Sequence, residues 1–490
     1  MVDTTQVMIE EERYKRQTLI WGTDGQKRLQ NARVSVVGMD KQGLYAALCL
    51  TALGVGNISL IDRGSVSTNE NFLGIKLAEG APRAKAYGDV MQLVNPQINI
   101  ESFQTNLESK LDMGVLTKSD VLLEATNSPQ SKSSVINYGW RNGIPVLSTS
   151  SKWGYTKTMF CDPITKDPAY LMPMFEGQKQ DGLMALVKCG VLAEEVRKLI
   201  FGETAQYLSV PVRYSLLGKR FGHTTDEAPE MNREAFSKLK AAFLGGGALG
   251  CWAALAAQEL GFQRLDVFDY DVFESHNINR QILGFDGIGK PKAPHIAEKI
   301  RVMTNGKTES EGFNVKILPG FKTERKYDIV YDFVDNAYTR AVNTSFAIAN
   351  DIPMISAGAL PFSARSITQV ASKTQCLDCI YDIYADGRRE EMIRRASCAA
   401  NPNPSVVMSN ACGASMSMID TLYIVEPGKF GEPFNGELTY RATTPQRFGT
   451  NRLNDPCNCY TSKPMPSLEI SDQDVAKFVE EHPEALKREN

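Results

Sequence analysis

Residues 243–250 read FLGGGALG. An apolar run enters this stretch and a helix-like run, CWAALAAQELG, leaves it, so Gly245, Gly247 and Gly250 complete a GxGxxG pattern between a strand and a helix. In such a turn, glycines let the backbone close on phosphate and let the helix pack against the strand. The next strand, RLDVFDYD, ends with Asp269, nineteen residues after Gly250. That is the interval at which an acid binds a ribose hydroxyl. The same ruler applied to VSVVGMDKQG, residues 34–43, finds a second loop, with Gly43 followed nineteen residues later by Asp62. Here Asp40 holds the place of Gly247, a carboxylate where a phosphate would lie.

Strand, turn, helix, strand and acid therefore recur at a constant offset of 207. Further along, SDVLLEATNS matches YDIVYDFVDN, NGIPVLSTS matches NDIPMISAG, and KCGVLAEEVRKLIFG pairs with ACGASMSMIDTLYIV. The expected fold is α/β, two tandem Rossmann-like units on mainly parallel sheets that form a pseudo-dimer within one chain. The expected bounds are 1–222 and 231–465, with a polar linker at 223–230 and a charged tail at 466–490. The copies differ in a consistent direction: Asp271 faces Gly64, Arg280 faces Leu73, and Asp335 faces Asn127. The second copy is equipped for nucleotide chemistry and the first is stripped of it.

The composition of this 490-residue chain, 42% apolar and 23% charged, suits globular domains with ample core. A net charge of −3 gives no general attraction to nucleic acid or an anionic membrane. The longest apolar runs are too short or too interrupted to span a bilayer, and no secretory leader opens the chain, so the expected location is cytoplasmic. Ten cysteines are too sparse for a disulfide scaffold, yet six lie between 376 and 459, which suggests metal or thiol chemistry.

The motif order DYDVFESHNINRQIL, GIGKPKA, DFVDN and then a CxxC pair resembles the ubiquitin-activating superfamily. That superfamily includes the adenylating enzymes of thiamin and molybdopterin synthesis. The likeness covers about 230 residues of the second copy. The first copy, through DRGSVSTNENFLG, GAPRAKA and SSKWGYTKTMF, resembles the inactive adenylation half of the eukaryote-style activators. The short crossover between 380 and 410 looks like a compact, prokaryotic-type version of that architecture.

The resemblance implies MgATP and a ubiquitin-like protein whose C-terminal glycine is adenylated. Arg280 and Lys292 match the family's phosphate-contacting pair, Asp335 the magnesium ligand and Asp269 the ribose binder; Asn277 and Asp271 stand beside them. Charge building on phosphoryl oxygens calls for such cationic clamps and a metal. Taken singly, surface arginines and carboxylates are usually only solvated; their joint order after an intact glycine loop points to function. Related dimeric enzymes lend an arginine from one subunit to the other's nucleotide. ERYKRQTLIWG places Arg16 at the matching position of the first copy, while the second copy has no such segment. That explains why the first half is kept although its own loop has decayed.

Cys376 and Cys379 (CLDC) with Cys457 and Cys459 (CNC) offer four thiolates for a tetrahedral zinc site, where the family places a structural zinc. Between the pairs, Cys398 lies in the crossover loop near Arg394 and Arg395, whose charge favours a thiolate. The family's cargo-passing members carry a nucleophilic cysteine there. Cys412 has a counterpart, Cys189, in the stripped half, and so reads as a packing choice. Three functions stay open. The leading one is adenylation of a ubiquitin-like protein, thioester formation on Cys398 and transfer to a conjugating enzyme. The others are adenylation alone, of a sulfur carrier or a peptide, and a non-catalytic scaffold binding nucleotide or a ubiquitin-like protein.

Overall fold

The computed structural model describes residues 12–482, apart from 106, 108–111, 162–177, 204, 205, 207, 209, 218–226, 397–402 and 463–465. The first half runs α1 (Lys15–Asn31), β1 (Arg33–Val37), α2 (Lys41–Leu53), β2 (Asn57–Ile61), α3 (Arg83–Val94), β3 (Asn99–Phe103), β4 (Val121–Glu124), α4 (Pro129–Asn142), β5 (Val146–Lys152), β6 (Tyr155–Cys161), α5 (Gly182–Phe201) and β7 (Val212–Ser215). The second half repeats the plan. It contains β8 (Lys240–Leu244), α6 (Ala248–Leu260), β9 (Arg264–Phe268), α7 (Lys292–Met303), β10 (Gly312–Phe313), β11 (Ile329–Asp332), α8 (Ala337–Ala349), β12 (Met354–Leu360) and β13 (Ser363–Gln369). There follow α9 (Ile383–Ala396), α10 (Val407–Val425), β14 (Gly436–Arg441), β15 (Phe448–Arg452) and α11 (Asp472–Glu481).

The first sheet has the order β3-β2-β1-β4-β5-β6-β7 and the second β10-β9-β8-β11-β12-β13-β14-β15. In each, the leading five strands are parallel and the remainder antiparallel. The chain is thus two tandem Rossmann-like units. Connectivity reverses between β1 and β4, and between β8 and β11, and ligands bind outside the strand ends at such switch points. The registers agree: Val37 lies opposite Glu124, and Leu244 opposite Asp332. Each of these acids is buried and paired, Glu124 with Lys132 and Asp332 with Arg340.

One apolar core runs through both halves. Its centre is the crossing of α5 with α10, both buried along most of their length. Gly190 makes the approach possible, because a Cβ there would sit 2.1 Å from the Met408 carbonyl oxygen. Cys189 and Cys412 are fully buried at this crossing, and burial pushes the Cys412 thiol far up. Their shared position in the two halves is explained by packing. Around the crossing, the halves exchange buried charge: Arg447 pairs with Glu195 at 2.9 Å, and Glu195 with Lys198 at 2.9 Å. The two halves therefore share both apolar core and a buried ion pair.

Residues 466–482 do not trail away. Leu468, Ile470 and Phe478 are buried, and the carbonyls of Ser467, Glu469 and Ile470 accept from Arg388 and Arg395 of α9. The charged composition of this stretch masked a few well-spaced apolar anchors. Among the described residues, no helix is long and apolar enough to cross a membrane.

Candidate active site and metal cluster

A cavity of about 1060 Å³ opens at the carboxyl ends of β8 and β11. It gathers Gly245, Gly247, Asp269, Asp271, Arg280, Lys292 and Asp335 from the second half, and Arg16 from the first. Gly250 lies behind it, where a Cβ would come within 2.6 Å of the Gly245 carbonyl oxygen, so the helix can seat on the loop only with glycine. The α6 N-terminus thereby faces the cavity with its backbone amides, as anion sites require.

Asp269 sits just past β9. Its Oδ2 accepts from Gly246 N–H at 2.7 Å and its Oδ1 from Asp271 N–H at 2.8 Å. Asp62 braces the first loop identically, accepting from Met39 at 2.7 Å and Gly64 at 2.6 Å. The acid therefore holds the loop in both halves, including the one that lost its glycine. Burial raises the pKa of the Asp269 carboxyl, and Lys292 opposes the rise. Lys292, nearly buried at the start of α7, pairs with half-exposed Asp271 at 3.1 Å. Asn277 is buried; its Oδ1 accepts from Glu274 N–H at 3.0 Å, which shapes the turn before Arg280.

Arg280 is the most constrained of these groups. It is 8% exposed, and its guanidinium donates to the His276 carbonyl at 2.8 Å and Asn279 Oδ1 at 2.9 Å. No carboxylate pairs with it among the described residues. Burial, aided by Arg16, pushes its pKa down to about 10. A buried guanidinium with only neutral acceptors, facing a second arginine, makes a strong site for an anion. Arg16 donates to the Asn403 carbonyl at 3.1 Å and lies 3.5 Å from His276 Nε2. Asp335 is exposed on the cavity wall, just before α8.

The first half's equivalent site is filled by its own chain. Gln180 Oε1 accepts from Gln42 N–H at 2.8 Å, at the α2 N-terminus where a phosphate oxygen would accept. Its amide nitrogen donates to the Ala125 carbonyl at 2.6 Å. Asp40 occupies the N-cap position of α2, with no side-chain capping bond, at φ −73° and ψ −173°, close to Gly247 at −73° and −151°, so the backbone tolerates either residue. The offset of 207 also hid a cation. Pro82 bridges Ser65 as Pro291 bridges Val272, which puts Arg83, not Lys85, at the place of Lys292. Arg83 lies 3.8 Å from Asp62. A two-residue difference in loop length concealed this, and so did the distance in sequence between Gln180 and the loop it fills. Arg365, stacked on Tyr381 at 4.1 Å, is a further cavity residue that no motif marked.

The Sγ atoms of Cys376, Cys379, Cys457 and Cys459 all lie within 4.8 Å of one another. Four sulfurs about 3.8 Å apart are what a tetrahedral zinc with Zn–S near 2.3 Å needs. The one-residue gap in CNC does not prevent convergence, because the turn after β15 carries Cys457 against the Cys376 N–H at 3.2 Å. The donor set fits a metal held by thiolates.

Cys398 lies outside the described residues. The arginines expected to activate it are engaged: Arg394 and Arg395 both pair with Glu391, at 2.6 and 2.9 Å. Their charge is partly cancelled by a carboxylate one helical turn earlier.

The ThiF family matches residues 14–223 and again 220–459, and the chain belongs to that family. It is 31% identical over 168 residues to SUMO-activating enzyme subunit 1 of Xenopus laevis, covering 33% of this chain and 48% of the relative. It is 25% identical over 191 residues to the molybdopterin-synthase adenylyltransferase of Haemophilus influenzae, covering 38% of this chain and 77% of the relative. With the bovine adenylyltransferase and sulfurtransferase MOCS3 it shares 30% over 159 residues, covering 31% and 35%. The chain thus spans about half of the first relative and about a third of the last. Escherichia coli MccB, solved with AMPCPP and MccA, covers 46% of this chain and 66% of its own at 19% identity and TM-score 0.38.

Proposed function

We propose that the second half adenylates the C-terminal glycine of a ubiquitin-like protein with MgATP, and that the first half serves it by lending Arg16. The observation that carries this is Arg280, buried without a carboxylate partner among the described residues, in a cavity that also collects Arg16, Lys292 and the α6 N-terminus. These groups converge from both halves on the place where a polyphosphate would lie. The incoming carboxylate attacks the α-phosphorus, forming an acyl-adenylate and releasing pyrophosphate. Arg280, Arg16 and Lys292 stabilise the charge on the phosphoryl oxygens. Asp335 would hold magnesium, which neutralises phosphate charge when bound. Asn277 shapes the turn that presents Arg280, and Asp269, with Asp271, completes the nucleotide wall.

In this reading the units are an inactive adenylation domain, 1–222, and an active one, 231–465, joined by the linker 223–230. Residues 466–490 follow, and within them Ser467, Glu469 and Ile470 brace α9. Zinc in the four-cysteine cluster ties the β13–α9 connection to the turn after β15. Cys398 then takes the acyl group as a thioester, releasing AMP, and a conjugating enzyme receives it. The action is set in the cytoplasm.

The test mixes the protein with MgATP and candidate ubiquitin-like partners ending in glycine, and follows pyrophosphate exchange and a non-reducing gel. A thiol-sensitive adduct lost in Cys398→Ala, with exchange retained, supports the full reading. Exchange without adduct, under conditions that preserve thioesters, moves the function to adenylation alone. That second reading is favoured by two relatives named as adenylyltransferases. Exchange undiminished in Arg280→Ala would refute the site.

A further inference from the structure

Arg16 belongs to α1 of the first half, yet its guanidinium must be aimed across the boundary into a cavity that already contains Arg280. Two like charges in such a space repel, so Arg16 must be held before an anion arrives; the Asn403 carbonyl accepts from its Nη1 at 3.1 Å, which leaves Nη2 to be placed. His276 touches both arginines. Its backbone carbonyl accepts from Arg280 at 2.8 Å, and its Nε2 faces Arg16 Nη2 at 3.5 Å. On the other side of the ring, Nδ1 lies 3.0 Å from Glu274 Oε2. Glu274 is itself fixed, because its side chain also accepts from the Asn277 backbone N–H in a capping box.

The chemistry of this chain is directional. A carboxylate accepts only, so Nδ1 carries the proton and donates to Glu274. Nε2 then presents a lone pair, and an arginine, which only donates, can use it. We propose that His276 is a positioning residue for Arg16: the Glu274–His276 pair, with the imidazole neutral, holds the guanidinium of the first half in register with the nucleotide cavity of the second. This rests on the reading of Arg16 as a nucleotide-contacting arginine.

The groups facing the ring agree with a neutral imidazole. Burial lowers its pKa from 6.5, as do Arg16 and Arg280, while Glu274 and Glu12 oppose them. Because the folded value is lowered, the neutral ring persists at neutral pH and is lost only as pH falls below the ordinary histidine range. An imidazolium would offer Arg16 a donor and a like charge, and the guanidinium would swing out. The nucleotide affinity of the wild type therefore has an acid limb that a non-titrating acceptor removes.

The experiment is calorimetric binding of MgATP to the full chain between pH 8 and pH 5.5, without any protein partner. The variants are His276→Gln, His276→Ala, Arg16→Ala and the double alanine variant. At pH 8, His276→Gln should stay near the wild type, since its amide oxygen can accept from Arg16. His276→Ala should bind about tenfold more weakly, the scale of one hydrogen bond to a charged group. Between pH 8 and pH 5.5 the wild type should weaken about tenfold more than His276→Gln; the comparison cancels protonation of ATP itself. Adding His276→Ala to Arg16→Ala should change nothing further. Parallel pH profiles for wild type and His276→Gln, or additive effects in the double variant, overturn the inference while Arg16 keeps its role. An Arg16→Ala variant that binds like the wild type overturns both.

Discussion

Exchanging the residues that distinguish the two loops tests the account most directly. Gly247→Asp installs in the second half what Asp40 is in the first. The backbone at 247, φ −73° and ψ −151°, is open to any residue, and a Cβ there meets nothing within 4 Å. Aspartate is also a favoured N-cap, so the variant should fold with its melting temperature within about 2 °C of wild type. Its carboxylate, however, would extend into the cavity at the α6 N-terminus, the place proposed for the phosphates. A unit charge about 4 Å from a phosphate oxygen, at an effective dielectric near 20, costs about 4 kcal/mol, or about a thousandfold in affinity. Gly247→Asn adds the same bulk without the charge and should lose only about tenfold. Calorimetric titration with MgATP reads both. Wild-type affinity in Gly247→Asp, or equal losses in the aspartate and asparagine variants, would refute the electrostatic argument.

The converse change, Asp40→Gly, should create no second nucleotide site, because Gln180 already occupies the Gln42 N–H; a rise from one to two ATP per chain would contradict this. Gly190→Val forces a side chain into the Met408 carbonyl, and urea unfolding should show a loss of about 3 kcal/mol or more. Cys379→Ser should abolish bound zinc, measured by mass spectrometry as about one ion per wild-type chain, and lower the melting temperature. Asp181 caps α5 by accepting from Met184 N–H, and burial pushes its carboxyl up to about 6. With the folded value above the unfolded 3.8, the folded state binds the extra proton, so this group's contribution worsens as pH rises from about 4 to 6. Asp181→Asn keeps a capping oxygen and should gain more melting temperature at pH 8 than at pH 4.

Much of the architecture was legible because repetition is a property of the chain. The matched loops, the acids nineteen residues on and the paired helix patterns at 188–202 and 411–425 required two similar units before any contact was known. Less visible were the residues that act at a distance in sequence. Gln180 reaches a loop more than a hundred residues away, and Arg83 was hidden by a two-residue difference in loop length. Arg365 belongs to a strand pattern without a motif. His276 lay inside a quoted motif, yet nothing in the string shows that its ring faces an arginine of the other half.

Residue type and spacing by themselves determined which half carries the equipment: the glycines, Arg280, Lys292 and Asp335 are local facts, because a turn or a charge needs only its neighbours. They also determined that Cys376, Cys379, Cys457 and Cys459 form two pairs. Only the tertiary structure decided that the pairs meet, that Arg16 enters a cavity in the opposite half, and that Asp269 and Asp62 both brace their loops. The reason lies in the crossing of α5 on α10. Burial of that shared core sets the relative placement of the two halves, and through it every distance between groups that the sequence keeps apart.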